Sequence, residues 1–135
     1  MKLRVILKSL LIAFVTVQTL ATPLQDKYLK ELQAIHKMEG NGSNKDLTLI
    51  SKSSESLVKD WNEKLAREVA RVYNELLNVN QNYFNADLIE YVIRKRGKQF
   101  MPILNKALSE KNKKVYKEML EFTDRQSREG KAPGF

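Results

Sequence analysis

The sequence predicts an all-α fold: a single-domain bundle of four to five helices preceded by a cleavable signal peptide. Three observations carry that expectation. The 135 residues include only 5 Gly and 3 Pro, too few turn formers for a many-stranded sandwich or barrel. Apolar residues recur at spacings of three and four along most of the chain, the period of an amphipathic helix. With 42% hydrophobic and 30% charged residues, the chain can build one core but neither two domains nor a multi-span membrane protein.

The first element is an export signal. Lys2 and Arg4 make a basic start, and Val5 to Val17 is a mainly apolar run interrupted by Lys8 and Ser9. Thr19 and Ala21 supply the small-x-small pattern that precedes a cut, so residues 1–21 are expected to be removed after Ala21. The uninterrupted apolar core, Leu10 to Val15, is much shorter than the roughly 20 residues of a bilayer span. An uncleaved anchor is the alternative. The exported chain belongs in a periplasm or outside the cell.

A first helix starts with Thr22 as cap, Pro23 at the first position and Gln25 completing a capping box. Leu24, Tyr28, Leu32, Ile35 and Met38 extend it to about Met38, where Gly40 and Gly42 end it. Asp46 to Ser53 reads as helix rather than strand, since Leu47 to Ile50 has no second strand to pair with. Ser54 to Val79 reads as one central rod, with Val58, Leu65, Val72 and Val79 seven apart and Asn78, Asn80 and Asn82 stopping it. Tyr83 and Phe84 should fold back on the core.

A third helix is expected from Ala86 to Arg96, ended by Gly97 in a left-handed conformation. Pro102 should open a fourth helix, and Asn112 should cap a fifth running from Lys113 to Gln126. The folded domain is then 22–126, and 127–135, with Gly130, Pro133 and Gly134, reads as a tail.

Little in the chain suggests catalysis. There is no Cys and one His, His36, so neither thiolate nor histidine clusters can hold a metal. Ser51, Ser53, Ser54 and Ser56 carry no nucleophile motif, and the pairs Glu63 and Glu68, and Glu118 and Glu121, each have a Lys or Arg three or four residues away. Neither an enzymatic activity nor a cofactor is expected. Asn41-Gly42-Ser43 matches the glycosylation acceptor pattern, which carries meaning only in a eukaryotic secretory route.

The informative feature is the distribution of charge. The formal charge is +8 overall, with three of the basic residues in the signal segment, leaving +5 for residues 22–135. Residues 94–117 hold nine basic groups against the single acid Glu110, whereas 22–93 carries −2 and 118–135 carries −1. On the expected helices, Arg94, Lys95, Arg96 and Lys98 close one helix, Lys111, Lys113 and Lys114 open another, and Lys106 lies between them, forming a stripe on the order of 15 Å long.

These eight residues are the candidate partner-binding site, and the expected partner is an anionic surface or an acidic protein. A peripheral membrane contact belongs to the first class. Nucleic acid is not expected, because the compartment is wrong and only Phe100 and Tyr116 interleave with the basic residues. The alternative function is a carrier holding a small apolar ligand or lipid between helices, with Trp61, Tyr73, Tyr83 and Phe84 as lining. A hydrolase using Ser or a carboxylate pair ranks third.

Overall fold

Short polar side chains set the start of four helices. Thr22 Oγ1 accepts from the Gln25 amide at 3.2 Å, Ser43 Oγ from Asp46 at 3.2 Å, Asn62 Oδ1 from Leu65 at 3.2 Å, and Ser109 Oγ from Asn112 at 3.1 Å. Each satisfies a backbone donor that the helix itself leaves without a partner. The computed structural model describes residues 22–128, which form α1 (Pro23–Gln33), α2 (Asn44–Lys59), α3 (Glu63–Val79), a 3-10 turn (Tyr83–Ala86), α4 (Asp87–Ala107) and α5 (Glu110–Arg128). No strand occurs among the described residues, so the all-helical expectation holds. The expected signal segment, 1–21, and residues 129–135 of the expected tail lie outside them.

Helix α3 is the axis of the bundle. Leu65, Ala66, Val69, Ala70, Val72, Tyr73, Leu76 and Leu77 are all fully buried, a face wide enough for α1, α2, α4 and α5 to pack around it. Burying the Leu and Val side chains among them is worth roughly 1.5–3 kcal/mol each. Ile50 and Leu57 of α2, Ile89, Val92, Phe100 and Leu104 of α4, and Tyr116 and Met119 of α5 complete the core.

The expected rod from Ser54 to Val79 is instead two helices, broken at Asp60 to Asn62. The residue that holds the break open is Gln25. Its side chain does not fold back as a capping box; it is 2% exposed, and its amide donates to the carbonyls of Asp60 at 2.7 Å and Ser56 at 3.4 Å. Its carbonyl accepts from Asn62 Nδ2 at 3.5 Å. A polar side chain from α1 thus occupies the backbone groups that a continuous rod would have used internally.

Helix α1 also stops earlier than Met38. Arg71 of α3 donates to the carbonyls of Ile35 at 2.8 Å and Leu32 at 2.9 Å while Glu68 holds its Nε at 2.8 Å. A cation at a helix C-terminus satisfies orphan carbonyls and opposes the helix dipole favourably. Met38 is still buried, delivered by the following loop. In that loop Gly42 has φ +81°, and a Cβ there would lie 3.2 Å from Leu76 Cδ1, so both conformation and space require glycine.

The third and fourth expected helices are one element, α4, kinked at Arg96 (φ −129°, ψ 28°). Gly97 does not adopt a left-handed conformation, and Pro102 sits inside the helix, leaving the Lys98 carbonyl without its donor. The last helix begins at Glu110 rather than Lys113 and runs to Arg128, so Ser127 and Arg128 are helical. Its cap is Ser109. Asn112 is instead fully buried, and its Nδ2 lies 2.7 Å from Asn74 Oδ1, 2.8 Å from Asn78 Oδ1 and 3.0 Å from the Asn74 carbonyl. That network rivets α5 to α3. Tyr83 and Phe84 do not return to the core: they are 44% and 54% exposed, and Tyr83 stacks on Phe122 of α5 with centroids 4.1 Å apart.

Candidate functional site

Six of the eight basic residues expected at the site are exposed. Arg94, Lys95, Lys98 and Lys106 lie on the outer face of α4, and Lys111 and Lys114 on the first turns of α5. The connection is only Leu108 and Ser109, so Lys106 and Lys111 flank the corner, while Arg94, Lys95 and Lys98 stand farther back along α4. Twelve residues separate Arg94 from Lys106, about 18 Å of helical rise. None of the six makes a salt bridge among the described residues.

The other two residues are committed elsewhere. Arg96 is half-buried at the kink and donates through Nη2 to the Val58 carbonyl at 3.0 Å, closing the last turn of α2 as Arg71 closes α1. Lys113 is paired with Glu110 at 2.9 Å. Arg94 lies over the Tyr91 ring at 5.5 Å, an orientation that leaves the guanidinium at the surface. Lys106 borders an open cleft of about 400 Å³ with Glu63, Arg67, Pro102, Ile103 and Ala107, where Arg67 and Glu63 pair at 2.9 Å.

The residues named for an apolar carrier do not converge. Tyr73 is fully buried, donates to the Asn85 carbonyl at 3.0 Å and meets Tyr116 edge-on at 6.1 Å. Trp61 is half-buried against the core, while Tyr83 and Phe84 face outward. Burial pushes the Tyr73 hydroxyl well above its ordinary pKa, with Tyr116 and Asp87 adding to the shift. Burial, and then the charge of Glu90, push Tyr116 up to about 12.

A cleft that the sequence did not announce runs between α4 and α5. It encloses about 190 Å³ and is bordered by Ala86, Asp87, Glu90, Ile93, Met101, Tyr116, Leu120, Thr123 and Asp124. It exists because α5 leans on the 3-10 turn and α3 more than on α4. Asp87, Glu90 and Asp124 border this cleft, and Arg94 begins the basic run one helical turn beyond Glu90. The acidic pair opening α4 and the acids Glu118, Glu121 and Asp124 along α5 are visible in the sequence, but only the antiparallel arrangement joins them.

Among the described residues no Asp or Glu is buried, no group of three His, Cys, Asp or Glu is placed to hold a metal ion, and no helix is long and apolar enough to cross a membrane. No family model, curated protein or solved structure matches this chain.

Proposed function

We propose that the protein is an exported helical binding protein whose α4–α5 corner takes an anionic macromolecular surface or the acidic face of a protein partner. The observation that carries this reading is the set of six exposed basic side chains along α4 and the start of α5, none in a salt bridge among the described residues. Two features support a role beyond solubility. Lys111 stands in the first turn of α5, where a positive charge opposes the helix dipole at about 0.3–1 kcal/mol at low salt. Acidic residues, moreover, occur elsewhere on α4 and α5 but, apart from Glu110, not within 94–117. Export is supported by the basic start, short apolar run and small residues of segment 1–21.

A corner of this kind speeds encounter and selects partners by sign of charge, and an anionic lipid surface would gain about 1 kcal/mol per basic residue brought near it. The test is a titration of the purified protein with vesicles containing an anionic lipid, and in parallel with polyglutamate, at low and high salt. Binding that weakens steeply as salt rises is expected, because the charges are exposed and screened within about 10 Å at 0.1 M. Binding to either probe that is indifferent to salt, or no binding to both at low salt, contradicts the reading.

A further inference from the structure

We propose that Asn41 carries an N-linked oligosaccharide, added as the chain passes through a eukaryotic secretory route. The inference rests on the export reading and is independent of the basic corner. Asn41-Gly42-Ser43 is the one Asn-x-Ser/Thr triplet in the sequence, and such a triplet is an acceptor when it lies on a surface loop of an exported chain. The structure supplies the loop. Asn41 is exposed in the connection between α1 and α2, three positions before α2 begins.

The use of amide side chains separates Asn41 from most of the other asparagines. Of the ten Asn residues, seven spend their side chains on caps or other hydrogen bonds, Asn62, Asn82 and Asn112 among them. Asn41, Asn44 and Asn105 are exposed, and their side chains make no hydrogen bond among the described residues. The acceptor triplet thus falls on an amide that the fold does not use. Its backbone is nevertheless held, since the Asn41 carbonyl accepts from Asn80 Nδ2 at 2.9 Å and the Gly42 amide donates to the Glu39 carbonyl at 3.1 Å. A Cβ added at the preceding Gly40 would meet nothing within 4 Å, so the space beside the acceptor is open.

The donor is an oligosaccharide on a polyprenyl diphosphate carrier. The bond from Asn41 Nδ2 to C1 of the first sugar forms as the C1–O bond to the carrier breaks. Nδ2 gives up one proton, and the carrier diphosphate leaves. The Ser43 hydroxyl that completes the triplet is also the cap of α2, accepting from the Asp46 amide at 3.2 Å, so variants at Ser43 must keep the two roles apart.

The test is the intact mass of the full chain, residues 1–21 included, expressed in a eukaryotic cell line and recovered from the medium, before and after a peptide N-glycosidase. The secreted protein should be heavier than residues 22–135 by one oligosaccharide, and the enzyme should remove that excess and leave Asp at position 41 in the peptide Met38–Lys45. Asn41→Gln, at an exposed side chain with no hydrogen bond among the described residues, should abolish the excess. Ser43→Thr, which keeps hydroxyl and cap, should retain it; Ser43→Gly, which removes the hydroxyl but costs the helix start little, should lose it. Secreted chains that begin at Thr22 and carry no sugar would overturn the proposal and leave export standing, whereas chains retained in the cytosol with residues 1–21 attached would overturn both. An excess mass that survives Asn41→Gln would overturn the assignment to Asn41.

Discussion

Replacing Gln25 with Glu separates two incompatible accounts of the same residue. As the third residue of a capping box, Glu is at least as good as Gln, because it can bond back to the cap and its charge suits a helix N-terminus. In the structure, the side chain is buried and its amide donates to the Asp60 and Ser56 carbonyls. A carboxylate there would lose both donations, at about 1 kcal/mol net each, and would point its charge at two carbonyl oxygens left without a donor, at about 1.5 kcal/mol more. The helix dipole returns about 0.5 kcal/mol. The balance at neutral pH is a destabilisation of about 3 kcal/mol relative to the wild type.

Part of that cost must depend on pH. The neutral acid can donate its O–H to Asp60, so folding raises the pKa of the introduced carboxyl above the roughly 4.3 of a Glu in an unfolded chain. Between the two values the native state binds more protons than the unfolded state, so the variant loses stability relative to the wild type as pH rises through that window. A pKa raised by about 1.5 makes the variant about 2 kcal/mol worse at pH 7 than at pH 4. Urea unfolding followed by circular dichroism, on variant and wild type at both pH values, reads both numbers. A variant equal to or more stable than the wild type at pH 7, with no difference between the two pH values, would refute the clamp.

Three further outcomes follow from the packing. Asn112→Ala removes the buried amide that joins α5 to Asn74 and Asn78 and should cost about 2 kcal/mol in the same unfolding assay. Pro102→Ala restores the donor facing the Lys98 carbonyl at an exposed helical position and should stabilise by about 1 kcal/mol, with the kink retained because Arg96 still holds the Val58 carbonyl. In a spectrophotometric titration, Tyr73 and Tyr116 should stay un-ionised at pH 11 in the folded protein, since burial raises both. The contribution of these two groups to stability should be intact below pH 10 and fall as pH rises from there through about 12. Tyr116→Phe should remove its share of that alkaline loss.

Local chemistry was legible in the sequence where the determinant is local. The cap at Thr22 lies three residues from the donor it satisfies, and the stop at Asn80 follows the end of an apolar stripe. Where a boundary is imposed from a distance, periodicity misleads. Val58 and Leu65 keep their seven-residue phase across the break between α2 and α3, and the residue responsible, Gln25, is more than thirty positions earlier. Met38 is in phase with α1, yet Arg71 ends the helix before it.

The same distinction governs the sites. The basic run from Arg94 to Lys117 was visible as composition. That Arg96 and Lys113 are occupied by Val58 and Glu110 needed the tertiary arrangement. The acid-rimmed groove needed it wholly, because Asp87 and Asp124 come together only when α5 folds back alongside α4.

The measurement that bears most directly on the proposed function compares two variants of identical net charge. One carries Lys95→Glu, Lys98→Glu and Lys106→Glu at the α4–α5 corner; the other carries Lys27→Glu, Lys45→Glu and Lys64→Glu, exposed positions on α1, α2 and α3. Binding of each to anionic vesicles and to polyglutamate is measured at low salt against the wild type. With about 1 kcal/mol per basic residue at the contact, the corner variant should lose about a hundredfold in affinity, while the other stays within about threefold of the wild type. An equal loss in both variants would mean that net charge alone drives binding, and would contradict a site at the corner.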